Sequence, residues 1–402
     1  MKNCMAAQSG GPTAAINSSL AGVITAAFKN EEIDKVYGAK NGIAGVLSES
    51  LVVLNDKFKN NEDNIKLLKN TPAMYLGSCR YKLNKEKAEE EFKKIFDVFE
   101  KYNIGYFFYI GGNDSMDTVK QLSAYASENG IDIKIMGVPK TIDNDLCFTD
   151  HTPGFGSAAK FIATAVKEIA FDTYIYDTNS INIVEIMGRN AGWLTAAAVL
   201  ARDGESPAPQ LIYLPERPFD NDRFIEDIKD KLKSDKQIVI AVSEGIKHAD
   251  GSYVSADGSN MDQFGHIMLS GTGKYLERLV ADRLGCKVRS VELNVLQRGA
   301  AHCSSLTDIE EAYKLGEAAV EAAFDGETGK MSVIERISSN PYVTRYSVCP
   351  IENVANLEKR VPDEWINAEG NDVTEDMAEY LRPLIIGEPL RNMRDGLPEF
   401  IR

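Results

Sequence analysis

The sequence predicts an α/β fold with mostly parallel sheets, and three observations carry that prediction. Short apolar runs recur along the chain without the alternation of a half-exposed strand, as strands covered by helices on both faces require. Stretches of helical period separate them. Glycine-rich turns follow several of the runs, at the strand-to-helix junctions where such folds collect their ligands. At 402 residues the chain can form two or three domains with sizeable cores.

The first strand is Cys4–Gln8. Pro12 then precedes a helix over Ala14–Lys29, rich in Ala, Leu, Ile and Val, and proline is favoured just inside a helix start. Lys85–Tyr102 is a second helix, with Phe92, Ile95, Phe96 and Phe99 on one face at i, i+3, i+4 and i+7. Strand Tyr106–Ile110, helix Met116–Glu128, strand Ile133–Val138 and helix Ser157–Ala170 continue the alternation. Strands Ile181–Ile186, Leu211–Leu214 and Ile238–Val242 follow, with helices at Ala191–Arg202, Asn221–Lys233, Gly271–Leu284 and Thr307–Phe324. Gly204–Pro209 reads as a loop. Ala249–Gly265, with Asp250-Gly251 and Asp257-Gly258, reads as a polar hairpin-like insertion. Beyond Cys349, Pro350, Pro362, Pro383, Pro389 and Pro398 predict irregular chain with short helical pieces wrapped on the body.

Composition narrows the function. Lys and Arg number 45 against 60 Asp and Glu, a net charge of −15 that repels nucleic acid and anionic membrane. Phosphate must therefore be held by a few placed cations, backbone amides or a metal. Six scattered cysteines with no Cys-x-x-Cys imply no disulfide framework, and the four histidines show no zinc-binding spacing. The start Met-Lys-Asn-Cys-Met-Ala-Ala-Gln carries no signal-peptide core and no apolar run is long enough to span a bilayer, so a cytoplasmic location is expected.

Three turns can receive an anion, because glycine lets backbone N–H groups approach it and the following helix dipole favours it. They are Gln8–Thr13 with Gly10 and Gly11, Gly111–Ser115 with Gly112, and Met187–Gly192 with Gly188. Two look-alikes fail on context. Gly154-Phe-Gly156-Ser-Ala-Ala159 matches a dinucleotide fingerprint but follows a polar, proline-broken stretch rather than a strand. Gly271-Thr-Gly273-Lys274 lacks the P-loop glycine, having Met268 there, and has Tyr275 after the lysine. The most distinctive stretch is Gly137–Asp145, where a strand end carries Lys140, Thr141, Asp143 and Asp145. Two acids so placed can divide the work, one taking a proton and the other serving a metal.

Together these stretches resemble the phosphofructokinase family. Ser9-Gly10-Gly11, Leu76–Arg80, Gly111–Ser115, Pro139–Asp145, Met187-Gly188-Arg189, Ser243-Glu244-Gly245 and Gln297-Arg298-Gly299 occur in the family's order, over most of the chain. The resemblance implies two three-layer α/β domains with mostly parallel sheets and the active site in the cleft between them. Residues 1–150 plus about 295–348 would form the phosphoryl-donor domain, and 151–294 plus about 349–402 the sugar-phosphate domain. It implies Asp143 as the base for the C1 hydroxyl of fructose 6-phosphate, with Ile142 beside it and Thr141 supporting the transferring phosphoryl group. Asp145, and Asn113 where the family usually has Asp, would hold Mg²⁺. Met187, Gly188, Arg189 and Glu244 would contact the sugar phosphate, and Arg289 and Arg298 its 6-phosphate. Gly10, Gly11, Arg80, Gly112 and Ser115 would face the donor.

Two residues indicate the donor. The resemblance places glycine, in ATP-dependent members, where this chain has Asp114 and Lys140, and the Asp114/Lys140 pair looks like the pyrophosphate-dependent branch. A carboxylate at Asp114 repels the α-phosphate of a nucleotide by about 4 kcal/mol at ~4 Å and an effective dielectric of ~20. Lys140 can neutralise the phosphate that leaves, a contribution of about 3–4 kcal/mol in the transition state. The implied reaction is reversible transfer from pyrophosphate to fructose 6-phosphate, giving fructose 1,6-bisphosphate and phosphate. The alternatives are an ATP-dependent 6-phosphofructokinase and a non-catalytic regulatory relative, the latter opposed by retention of Thr141, Asp143, Asp145 and Arg189. Ser180 and Val295 replace an arginine and a histidine of bacterial ATP-dependent members, and no nucleotide effector site is evident. A homo-oligomer is expected, a dimer ahead of a tetramer.

Overall fold

A computed structural model describes residues 1–79, 81, 88–175, 177–255 and 271–402. Eleven strands build two main sheets among them. The first five are β1 (Lys2–Gln8), β2 (Ile33–Ala39), β3 (Leu51–Val53), β4 (Ile104–Gly111) and β5 (Lys134–Pro139). Then come β6 (Ser180–Ile186), β7 (Leu211–Tyr213), β8 (Gln237–Ser243) and β9 (Lys287–Glu292). The last two are β10 (Lys330–Ser339) and β11 (Tyr342–Pro350). The chain divides into two compact units, 1–157 with 298–358 and 386–402, and 158–297 with 359–385.

In the first unit the strand order is β11-β10-β5-β4-β1-β2-β3, parallel through its centre, with β3 and β11 antiparallel at the edges. The central strands are apolar on both faces, as the continuous runs predict. From β1, Met5 and Ala7 enter the core that holds Phe96, Phe99 and Met116, while Cys4 and Ala6 enter the one that holds Leu20, Ile24 and Leu315. Phe107 and Tyr109 of β4 go to the first and Phe108 and Ile110 to the second, the period of two that a strand imposes. Helices Ala88–Lys101 and Asn113–Glu128 thus cover one face and helices Ile16–Lys29 and Leu306–Phe324 the other, three layers in all.

The second unit carries β7-β8-β6-β9, all parallel. Ile181 and Ile183 of β6 and Ile238, Ile240 and Val242 of β8 pack with Phe224, Ile228, Leu276 and Val280, from helices Asn221–Lys231 and Thr272–Leu284. On the other face Asn182 Nδ2 donates to Thr173 Oγ1 of helix Phe155–Tyr174. The apolar runs marked β6, β7 and β8 to within one residue at each end, and no run marked β9. Ala191–Arg202 is a shorter α-helix than expected, Trp193–Ala196, which tightens into a 3-10 turn over Ala197–Ala201.

The tail differs from the sequence reading, which placed all of 349–402 with the second domain. Residues 349–358 and 386–402 lie in the first unit because β11 runs to Pro350, Ile401 is buried with its amide donating to Thr71 Oγ1 (3.0 Å), and Arg391 Nε donates to Ala301 O (2.9 Å). Of the 249–265 insertion, the opening pairs back on itself through Lys247 and Tyr253, and 256–265 lie outside the described residues.

Two glycines let helices Ile16–Lys29 and Leu306–Phe324 approach closely. A Cβ on Gly22 would sit 2.0 Å from Tyr313 O, and one on Gly316 would sit 2.2 Å from Ser19 O. Gly→Ala in a helix interior ordinarily stabilises by about 1 kcal/mol. Here backbone blocks the methyl, so Gly22→Ala and Gly316→Ala should each lower stability, by about 1–3 kcal/mol. Urea unfolding checks the sign: a midpoint that rises in either variant contradicts this packing.

Candidate active site

Strands β1 and β4 are parallel neighbours that end together, Gln8 opposite Ile110, so the turn that follows each lies beside the other. Ser9 N donates to Ile110 O (3.0 Å), and the hydroxyls of Ser9 and Ser115 are hydrogen-bonded. A Cβ at Gly111 would lie 1.9 Å from Ser115 Oγ, so this close approach admits only glycine. Gly112 then caps helix Asn113–Glu128, in whose first turn Asp114 stands exposed.

Lys140 crosses both turns. Its N–H donates to Gly111 O (3.0 Å) and its Nζ to Gly11 O (2.7 Å), and the side chain is 2% exposed. Gly10 has φ +80, and a side chain there would begin 3.1 Å from the ammonium. Burial pushes the Lys140 amine down to about 8. Asp143 and Asp145 pull it back up, and Arg298, which approaches Gly11, adds to the depression. A cation so little solvated is drawn strongly to any anion that enters.

The loop after β5 is doubled against its own return arm. Thr141 N donates to Pro153 O (3.2 Å), Thr152 Oγ1 to Thr141 O (2.8 Å), and Thr152 N to Asn144 Oδ1 (3.2 Å). Asn144 takes φ +53, a conformation its side chain tolerates well. Asp143 N donates to Thr141 Oγ1 (3.0 Å), so the threonine hydroxyl accepts from the chain and keeps its own proton to donate elsewhere. Ile142 is buried, which leaves Thr141, Asp143 and Asp145 half-buried around it.

In the second unit β6 and β8 also end together, Ile186 opposite Ser243. Met187 N donates to Gln297 Oε1 (3.2 Å), Gly188 N to Glu244 Oε1 (3.4 Å), and Ser243 Oγ to Gly188 O. Met187, Gly188, Arg189 and Glu244 therefore form one cluster. Among the described residues the buried Nε–H of Arg189 has no hydrogen-bond partner. Gln297 and Ser243, which brace this cluster, were legible only as members of their motifs.

Three further expected residues have contacts the sequence did not announce, and a fourth lies outside the described residues. Asn113 ties down its turn: its Oδ1 accepts from Asn356 N (2.7 Å) and its Nδ2 donates to Leu357 O (2.5 Å). Arg298, expected at the sugar 6-phosphate, approaches Gly11 and acts on Lys140. Arg289 sits opposite Asn182, three residues back along the parallel β6–β9 register from Glu292, and lines a small surface pocket with Asp172, Ser180 and Lys287. The strand rise alone separates that position from the Met187 end by roughly 10 Å or more. Arg80 lies outside the described residues.

Both rejected look-alikes are helix starts filled from within. Asp308 Oδ1 accepts from Gly154 N (2.8 Å) and Oδ2 from Ser157 N (3.0 Å), and burial raises the carboxyl against these bonds. Glu185 Oε2 accepts from Gly273 N (2.7 Å), and burial pushes it up to about 7. Each carboxylate thus takes amides that a ligand phosphate would need.

The sequence matches the phosphofructokinase family profile over residues 3–323. It is 41% identical, over 99% of this chain and 95% of the relative, to a pyrophosphate–fructose 6-phosphate 1-phosphotransferase of Halomonas elongata. To the protein of the same name from Xanthomonas campestris pv. campestris it is 43% identical, over 99% of this chain and 95% of that one. The crystal structure of a pyrophosphate-dependent phosphofructokinase from Marinobacter aquaeolei superposes with a TM-score of 0.89 at 39% identity, covering 100% of this chain and 95% of that one. A profile match over most of the sequence, full-length relatives above 40% identity and the same fold leave one classification, and this chain belongs to the phosphofructokinase family.

Proposed function

We propose that this chain transfers a phosphoryl group reversibly between pyrophosphate and the 1-hydroxyl of fructose 6-phosphate. The observation that carries the reading is Lys140, a buried ammonium held by Gly11 O above the first glycine turn, with Asp143 and Asp145 in electrostatic reach. Names of the full-length relatives point the same way.

The first unit binds the donor. Gly10, Gly11, Gly112 and Ser115 let pyrophosphate lie against backbone amides and a helix N-terminus, with Arg80 as a further donor contact. Lys140 and Arg298 offset its charge. Lys140 is already desolvated and oriented, so it stabilises the leaving phosphate without reorganising when the bond breaks. Asp114, at the same helix start, opposes the extra phosphate of a nucleotide. Asp143 accepts the proton of the C1 hydroxyl, and the Thr141 hydroxyl, its lone pair engaged by Asp143 N, donates to the transferring group.

The acceptor is held by the second unit. Arg189 directs its open Nε–H to a phosphate or sugar oxygen, and Met187, Gly188 and Glu244 complete the contacts.

Mg²⁺ fits the residues present. Among the described residues no cluster of three or more His, Cys, Asp or Glu forms a closed cage. That suits an ion which keeps several waters and binds through one or two carboxylates plus substrate phosphates, here Asp145 and the donor. Bound so, it would neutralise charge on the donor's oxygens.

A second copy of the chain is part of this reading. Edge strand β9 and the turn after it expose Val291, Val295 and Leu296, and Arg289 stands on that strand, remote from the Met187 cluster. A homodimer that buries this edge would give Arg289 a 6-phosphate to bind. Light scattering after gel filtration should show a dimer, and Val295→Glu should shift it to monomer with loss of activity; a monomeric, fully active wild type contradicts the assignment.

Steady-state assays with each donor test the central reading: saturation by pyrophosphate is expected, and saturation by ATP with no pyrophosphate turnover overturns it. Asp143→Asn should lower kcat by about 10²–10⁴-fold with little change in sugar-phosphate binding. Because the protonated form of Lys140 is the useful one and burial holds it near 8, kcat/KM for pyrophosphate should fall as pH rises through about 8. Lys140→Met should remove that limb and cost about 10²–10³-fold.

A further inference from the structure

Behind the Thr141–Asp145 loop lies a buried set of charges that the reaction as read above does not use. His151 is 1% exposed, with Nδ1 2.8 Å from Asp150 Oδ2 and Nε2 2.6 Å from Glu311 Oε2. An ionised carboxylate only accepts, so both ring nitrogens must donate, and a ring with two donors is an imidazolium.

Every element packed around it answers that charge. On its own loop, Asp150 also accepts from Arg336 Nε (3.1 Å) and Nη2 (2.9 Å) of β10. On helix Leu306–Phe324, Glu311 Oε1 accepts from Tyr342 Oη (2.8 Å) and Thr344 Oγ1 (3.3 Å) of β11. Thr344 is bonded in turn to Tyr346 (3.3 Å). Asp308, one helical turn before Glu311, holds the amides of Gly154 and Ser157. Two cations thus face Asp150 and Glu311, with Asp308 matched to a helix start. Burial drives the imidazole pKa down, but Glu311 and Asp150 outweigh it and raise it to about 9.

The ring adjoins Thr152, which bonds Thr141 O and Asn144 Oδ1, and Pro153, whose carbonyl takes Thr141 N. The helix and the β10–β11 ribbon therefore grip, through His151, the arm on which Thr141 and Asp143 rest. We propose that His151 is a positioning residue for phosphoryl transfer, an imidazolium clamped between Asp150 and Glu311 that keeps Thr141 and Asp143 in place. This rests on the phosphotransferase reading above. The ring touches no reacting atom; its effect is on geometry, where a displacement of about 1 Å costs on the order of 10²-fold in rate.

Two measurements on the full-length protein test it. In ¹H–¹³C spectra of the histidine rings, with the His151 signal assigned by its loss in His151→Gln, that signal should stay imidazolium from about pH 5.5 to about pH 8. A neutral ring at pH 7 overturns the proposal. Kinetics, run with whichever donor saturates the wild type, should show His151→Gln lowering kcat about 100-fold while both KM values stay within about threefold. Glu311→Gln leaves the ring one carboxylate, so it should titrate near neutrality and give kcat an acid-favoured slope between about pH 6 and pH 8 that the wild type lacks. A folded His151→Gln with unchanged kcat overturns the proposal, as does a wild-type pH profile in Glu311→Gln; if His151→Gln does not fold, the Glu311 variant decides. Absence of pyrophosphate turnover in the wild type would sink the donor reading alone, because the ring spectra and the split between kcat and KM do not depend on which donor is used.

Discussion

The first unit is organised around one ammonium that has almost no water. Lys140 reaches from the end of β5 across two glycine turns to Gly11 O, and a side chain on Gly10 would begin 3.1 Å from its ammonium. One hydrogen bond to a carbonyl does not offset the desolvation of a lysine, so the site is held away from electrostatic balance until an anion arrives. That imbalance is tolerable because Asp143 and Asp145 return part of it.

The same economy explains how a chain with a net charge of −15 can hold polyanionic substrates. Its field at long range is unfavourable, and attraction must come from a few cations with little water around them. In the proposed reading Lys140 and Arg298 serve this purpose in the first unit and Arg189 in the second. An acidic excess of this kind repels a long polyanion more than a small diphosphate.

Much of the fold was legible because it obeys simple periods. The central strands are buried on both faces, so β1, β4, β5, β6 and β8 read as largely apolar runs, with Asn182 and Glu185 the polar breaks in β6. The edges did not: β9 is Lys-Val-Arg-Ser-Val-Glu with alternate residues in solvent, and β10 and β11 mix Ser, Arg and Thr into a half-exposed ribbon. Helix Ile16–Lys29 was visible from its composition, but nothing local to Gly22 announced that Tyr313 O would lie against it. Among site residues, those on one turn (Thr141, Asp143, Lys140) could be read together, since sequence proximity is spatial proximity there. The tie of Asn113 to residues 356–357, the company Arg298 keeps, and the grip of Glu311 on His151 each join positions more than 100 apart, and no motif encodes a partner at that range.

The filled helix starts carry a wider lesson. At Gly154 and at Gly273 the residue that silences a phosphate-receiving motif is a single acid supplied from another element, Asp308 or Glu185. A plug of that kind is invisible in the motif itself, so recognising a vacant receptor means finding what occupies its mouth. It also means that a helix start can be closed to outside anions by one carboxylate from a distant element, with no change in the motif itself.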